Sequence, residues 1–158
     1  TGHSNIKKRI KEINSPLAGE MSGHIFFADK YYGFDDALYA SIRLLSLLAN
    51  DVNLEKFISS LPKTFVSPEI KLHCSDQIKF TVINNISKNA LEDYSPENIT
   101  TIDGVRAKNN FGWWLIRASN TEEALIIRFE GKSIKDKEEL FLEVQKRLKK
   151  EGLTLEFN

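Results

Sequence analysis

Residues 115–131 read LIRASNTEEALIIRFEG: two apolar, strand-like runs around a polar string. The string, Arg117, Ser119, Asn120 and Thr121, has no Asn-Gly, Asp-Gly or Pro to make a tight hairpin turn. Every side chain in it can donate a hydrogen bond. Working outward, strand-like runs occupy Asn98–Ile102, Val105–Lys108 and Trp113–Ala118 before the string, and Ala124–Phe129 after it. Asp103-Gly104 and Asn110–Gly112 supply the turns between them. Glu69–His73 alternates like a further strand. Ser75 or Asp76 is placed to cap a helix burying Ile78, Val82, Ile83, Ile86 and Ala90. A second helix over Lys135–Lys150 turns Leu140, Val144 and Leu148 inward and stops at Gly152, and LTLEF at 153–157 is a candidate last strand. Short connections between successive strands predict an antiparallel sheet with helices on one face, an α+β domain.

The first half follows another pattern. Asn5–Ile13 predicts an amphipathic helix with Ile6, Ile10 and Ile13 on one face, ended by Ser15-Pro16. After the mixed segment to Phe27 comes a YYGF turn. A strong helix is expected over Asp35–Ala49, with Asp35 and Asp36 in its first turn and Leu38, Ile42, Leu45 and Leu48 as a buried stripe. Leu54–Leu61 predicts a short helix stopped by Pro62, and PKTFVSP reads as a linker. These elements are too few to close a core by themselves. They read as the C-terminal portion of an α/β domain preceding the α+β one.

The 158 residues, 41% of them hydrophobic, suffice for one ordinary domain, or a small domain plus a piece of another. Lys+Arg and Asp+Glu balance at 22 each, which excludes the basic excess of a general nucleic-acid binder. No apolar run approaches the ~20 residues of a membrane span. Cys74 is the single cysteine, so no internal disulfide forms, and no Cys/His cluster suggests zinc. The composition leads us to expect a cytoplasmic protein. The opening Thr1-Gly2-His3, without Met and running straight into a helix, leads us to expect a fragment.

Two polar loops carry candidate chemistry. A phosphate offers peripheral oxygens that suit one fork-shaped cation and several neutral donors. Arg117, Ser119, Asn120 and Thr121 match that set, with backbone N–H groups completing a concave nest. Arg128 could face the same place from the next strand, though alternation leaves its side open. The string also fits a solvated turn whose polar side chains satisfy their own backbone, and spacing alone does not separate the two. The second loop is GEMSGH, Gly19–His24. In an extended segment Glu20 and Ser22 share a side, where a carboxylate and a hydroxyl can hold vicinal sugar hydroxyls. His24 adds a donor, acid or base. From the residues alone, a plain turn with an incidental histidine is the favoured reading. Of Trp113-Trp114, one is expected in the core and the other over an edge. Cys74 is expected to be buried and inert, and KSIKDKEE to be a solvated helix start.

Together, TGHSNIKKRI, GEMSGHIFF, YYGFDD, GVR and GWWLIRASNT closely resemble the C-terminal part of the alpha-D-phosphohexomutases, nearest to the bacterial phosphomannomutase/phosphoglucomutase group. The resemblance spans essentially the whole chain. It implies that residues 1–63 end a third, sugar-binding domain and that residues 64–158 form a fourth, phosphate-binding one. Members of the family set four domains around a cleft and interconvert hexose 1-phosphate and 6-phosphate. They use a phosphoserine, a magnesium ion and a bisphosphorylated sugar intermediate, with hexose 1,6-bisphosphate as activator. The resemblance implies that Glu20, Ser22 and His24 bind the sugar, and that Arg117, Ser119, Asn120 and Thr121 bind the phosphate that is not reacting. It places His3 near proton transfer.

The family often has Pro where Glu123 stands, a difference that alters loop rigidity more than donor count. No phosphoserine motif or Asp-rich metal loop occurs here. The chain is therefore expected to bind no metal, to be inactive alone, and to have the N-terminal domains of the same protein as its partner. Phosphoglucosamine mutase relatives more often carry Gln where Met21 stands, so Met21 favours the mannose/glucose group. A stand-alone phosphosugar-binding module is the alternative outside the enzyme class.

Overall fold

The computed structural model describes residues 1–156, and the chain divides between Leu61 and Pro62. The first unit holds helix α1 (His3–Ile13), strands β1 (Leu17–Gly19) and β2 (Ile25–Phe27), and helices α2 (Ala37–Ala49) and α3 (Leu54–Ser60). Asn14, in the left-handed region at φ 50°, ends α1. β1 and β2 pair antiparallel, with Gly19 opposite Ile25, so GEMSGH is the tip of a hairpin. The side chain of Asp36, not Asp35, caps α2. Its Oδ1 accepts the Tyr39 N–H at 2.9 Å and its Oδ2 the Tyr31 hydroxyl at 2.7 Å. Asp35 lies outside the helix.

The expected burial of α2's stripe does not occur. Leu38, Ile42, Leu45 and Leu48 are 80, 62, 63 and 42% exposed. The unit's core is small: Phe26 and Ile10 are its only buried hydrophobic side chains among the described residues. Within the unit α2 lies against β2, with Tyr39 against Phe27 and Tyr31, and Arg43 paired with Asp29, and the apolar stripe is left uncovered. The face is apolar because the sequence pattern is that of a buried helix; pattern alone does not supply the cover. Ile13 at the end of α1 is likewise exposed, while Ile6 is half-buried.

The second unit runs β3 (Phe65–Val66), β4 (Ile70–His73), α4 (Lys79–Asp93), a 3-10 turn at Pro96–Asn98, β5 (Ile99–Thr100), β6 (Val105–Lys108), β7 (Gly112–Ala118), β8 (Ala124–Gly131) and α5 (Ile134–Lys150). The sheet order is β3-β8-β7-β6-β5, with β4 also on β8, and every pairing is antiparallel. This is the α+β architecture expected of the second half. One continuous core fills the space beneath α4 and α5, built on Trp114, Ile116, Leu125, Ile127, Phe129, Leu140, Val144 and Leu148, all fully buried.

Three details differ from expectation. The segment read as a linker contributes strand β3, where Phe65 and Val66 pair with Gly131 and Glu130. Ser67 behind it is buried: its N–H donates to the Phe129 carbonyl at 2.9 Å, and its hydroxyl oxygen accepts the Phe129 N–H at 3.1 Å. Prolines at both ends hide so short a strand from pattern reading. Ile78 is 49% exposed because it sits in the turn before α4, where the Ser75 carbonyl accepts the N–H groups of Ile78 and Lys79. Neither Ser75 nor Asp76 caps α4 through its side chain. Residues 153–156 form no strand, and the rest of that candidate lies outside the described residues.

Candidate functional site

Strand alternation sets the second unit's polar loop. In β7, Trp114, Ile116 and Ala118 enter the core, so Trp113, Leu115 and Arg117 face the opposite side. Leu115 is paired with Arg128 and Arg117 with Ile126. Arg117 and Arg128 therefore share that open face, diagonally across two neighbouring strands. Arg128 Nε is buried with no hydrogen-bond partner among the described residues. Arg106, on the same face by its pairing with Leu115, stacks its guanidinium 4.7 Å from the Trp113 ring centre. Trp114 is the core member of the tryptophan pair, and Trp113 is half-buried.

Between β7 and β8 the chain turns within a few residues. The Ser119 N–H donates to the Ala124 carbonyl at 2.9 Å, and the Ala124 N–H to the Glu122 carbonyl at 2.8 Å. The Ser119 hydroxyl oxygen accepts the N–H groups of Thr121 at 3.3 Å and Glu122 at 3.1 Å. This is the local backbone satisfaction that the solvated-turn reading requires. It leaves the Ser119 O–H free to donate, although the residue is buried. Asn120 and Thr121 are exposed. Arg117 is half-buried and makes one long contact, Nη1 to the Ala118 carbonyl at 3.5 Å.

Beneath the loop lies a residue that strand reasoning missed. Lys79 is 4% exposed, and its ammonium donates to the carbonyls of Ser119 at 2.7 Å and Glu122 at 3.0 Å, and pairs with Asp76. A signal for it existed. Lys79, Ile83, Ile86 and Ala90 fall at the spacing of one helix face, so the lysine occupies a core-facing position on α4. With both carbonyls engaged below, the exposed rim of the loop is rich in donors.

The first unit's loop is a tight turn, not the extended segment that would align Glu20 with Ser22. The Glu20 N–H donates to the His24 carbonyl at 2.8 Å and the Gly23 N–H to the Glu20 carbonyl at 3.0 Å, with Gly23 at φ 86°. Glu20 and Ser22 are still brought together, Ser22 Oγ lying 3.4 Å from Glu20 Oε2. Glu20 Oε1 accepts the Gly2 N–H at 2.7 Å, which brings the start of α1 to this loop. His3 is the exposed first residue of that helix. His24 is turned by Asp35, with Nδ1 2.5 Å from Oδ2. Glu20, Ser22, His24 and the start of α1 thus form one polar cluster in the first unit. Among the described residues no group of three or more His, Cys, Asp and Glu side chains is placed to hold a metal ion.

Comparison with known proteins gives these loops a context. Residues 1–65 match the family model of phosphoglucomutase/phosphomannomutase, alpha/beta/alpha domain III, and residues 69–150 match that of the phosphoglucomutase/phosphomannomutase C-terminal domain. The chain belongs to the phosphoglucomutase/phosphomannomutase family. It is similar to a phosphomannomutase/phosphoglucomutase of Pseudomonas putida, 46% identical over 84% of this chain and 28% of that protein. A protein of the same name from Pseudomonas aeruginosa is 41% identical over 94% of this chain and 32% of that one. A crystal structure of a phosphoglucomutase/phosphomannomutase family protein from Burkholderia thailandensis superimposes with a TM-score of 0.84 at 38% identity, over 99% of this chain and 33% of that one. The chain thus spans about a third of the length of these family members. No helix among the described residues is long and apolar enough to cross a membrane.

Proposed function

We propose that this chain is the sugar- and phosphate-binding C-terminal part of a phosphohexomutase that interconverts hexose 1-phosphate and 6-phosphate, with mannose or glucose as the sugar. The reading rests on one observation above the others. Two carbonyls of the Ala118–Glu122 loop, those of Ser119 and Glu122, are engaged from beneath by Lys79, and Asn120, Thr121 and the Arg117 guanidinium form a donor rim. A phosphate carrying up to two negative charges is the ligand such a rim suits. Arg128, on the same face with Nε unpaired among the described residues, supplies a second fork. In the first unit, Glu20 and Ser22 take sugar hydroxyls, with His24 beside them and His3 contributing near proton transfer.

Holding the idle phosphate and the sugar supplies remote binding energy that orients the reacting end. The bond-breaking groups belong to the rest of the mutase. These are a serine that carries the phosphoryl group to form a bisphosphorylated sugar, and a magnesium site that stabilises charge on the group in transfer. A hexose 1,6-bisphosphate primes that serine. The present chain supplies no metal ligands and is inactive alone.

The test has two parts. Glucose 6-phosphate titrated into the chain should perturb the amides of residues 117–122, and Arg117→Ala should weaken binding by roughly 1.5–3 kcal/mol, a charge-assisted hydrogen-bonding fork. Unchanged affinity in the variant would remove Arg117 from the site. Turnover of mannose 1-phosphate by this chain, given magnesium and a hexose bisphosphate, would overturn its assignment as a binding part.

A further inference from the structure

We infer that Lys79 is a positioning residue for anion binding, acting through the Ala118–Glu122 loop; the inference rests on that loop being the phosphate site. A lysine ammonium has three donors and no acceptor. Here all three are committed, to the Ser119 carbonyl, the Glu122 carbonyl and the Asp76 carboxylate. The residue is buried, so it cannot reach out to a ligand, and its influence passes through the backbone it holds.

The two carbonyls lie at the two ends of the turn, 40 and 43 residues away from Lys79 in sequence. Tying both to one cation fixes the turn's span and holds these two acceptors inward. The Ser119 hydroxyl oxygen gathers the Thr121 and Glu122 N–H groups from within the turn. The exposed Asn120 and Thr121 side chains remain as donors, and the Glu122 carboxylate beside them is paired with Lys71. Without the ammonium, the buried Ser119 carbonyl would lose its partner and the Glu122 carbonyl would keep only the Ala124 N–H, and acceptors freed in this way would oppose an arriving phosphate. The ammonium is also a fixed positive charge under the loop. Its counter-ion Asp76 is 64% exposed and therefore well screened by solvent, which leaves part of the lysine's field directed at the loop. Both effects exist before ligand arrives, which is what preorganisation of a binding loop requires.

The sequence carries the same logic. A lysine at a core-facing helix position costs stability unless its charge is fully hydrogen-bonded. Asp76 pairs with it from three residues earlier, and the loop carbonyls complete the set.

The test is phosphate binding by the 158-residue chain, followed by 31P and amide NMR with inorganic phosphate and with glucose 6-phosphate. Lys79→Met should weaken both ligands by at least about tenfold, with amide shifts centred on residues 119–122 and the core amides of β7 and β8 unchanged. Lys79→Arg, which keeps the charge, should recover most of that loss. A folded Lys79→Met chain that binds phosphate within twofold of wild type overturns the inference while leaving the loop as the phosphate site. A wild-type chain that binds neither ligand overturns both. If Lys79→Met does not fold, the wild-type chain alone decides. Its Lys79 ammonium should give a slowly exchanging 15N signal that shifts when phosphate moves the Arg117 Nε signal. An absent or unmoved lysine signal under those conditions overturns the inference.

Discussion

His24 Nδ1 and Asp35 Oδ2 stand 2.5 Å apart, joining the hairpin tip of the first unit to the residue just ahead of the α2 cap. An ionised carboxylate only accepts hydrogen bonds, so the neutral imidazole must carry its proton on Nδ1 and present a lone pair at Nε2. The His24 side chain is 54% exposed, so Nε2 is available to a ligand. Asp35→Ala should release the ring to the Nε2–H tautomer that an unconstrained histidine favours. Long-range 15N–1H spectra, recorded where the imidazole is neutral, report which nitrogen is protonated. An Nδ1–H tautomer that survives in the variant would show that Asp35 does not set it.

Gly104 places a different constraint on Arg117. It sits at φ +75° in the turn before β6, and a Cβ there would collide with the Ile116 carbonyl and come within 2.5 Å of Arg117 Cβ. Gly104→Ala therefore combines left-handed backbone strain with overpacking against the strand that presents the guanidinium. The expected cost is about 1–3 kcal/mol in urea unfolding, together with weaker glucose 6-phosphate binding because Arg117 is displaced. Wild-type affinity in the folded variant would show that this turn does not position the arginine.

How much of this was legible in the sequence depends on what each inference needed. The sheet and its two helices were readable because β7 and β8 are apolar, strand-like runs bounded by turn residues and α5 carries a clear helical pattern. Strand β3 was not, since two residues between prolines carry no period, and their pairing with Gly131 and Glu130 is a long-range fact. The same limit hid Lys79. Its partners Ser119 and Glu122 are local to the loop but far from the lysine in sequence. Arg128's side followed only once register was known, because alternation gives a face relative to neighbours and not an absolute one. The stripe Leu38, Ile42, Leu45 and Leu48 shows the converse. Helical pattern announces a face that wants burial, and these residues are exposed because no element of their own unit lies against them.

A polar cluster behind the sheet offers the last prediction. The Tyr94 hydroxyl donates to Glu143 Oε1 at 2.6 Å and accepts from Trp114 Nε1 at 3.1 Å and Asn109 Nδ2 at 3.2 Å. The same Glu143 oxygen accepts from Trp114 Nε1 at 3.1 Å and Arg147 Nη2 at 2.8 Å. Burial, followed by the Glu143 carboxylate as acceptor, pushes the Tyr94 phenol up from its usual value. A raised folded-state value means that this contribution to stability is intact below the ordinary tyrosine range and is lost as pH climbs through the folded one. Glu143→Leu removes the carboxylate's hydrogen bond and its charge, both of which raise the phenol, and leaves part-buried donors without that acceptor. It should cost about 1–3 kcal/mol in chemical denaturation and bring Tyr94 ionisation, read by tyrosinate absorbance, to lower pH. A variant with unchanged denaturation midpoint and unchanged alkaline titration would show that Glu143 does not hold the cluster together.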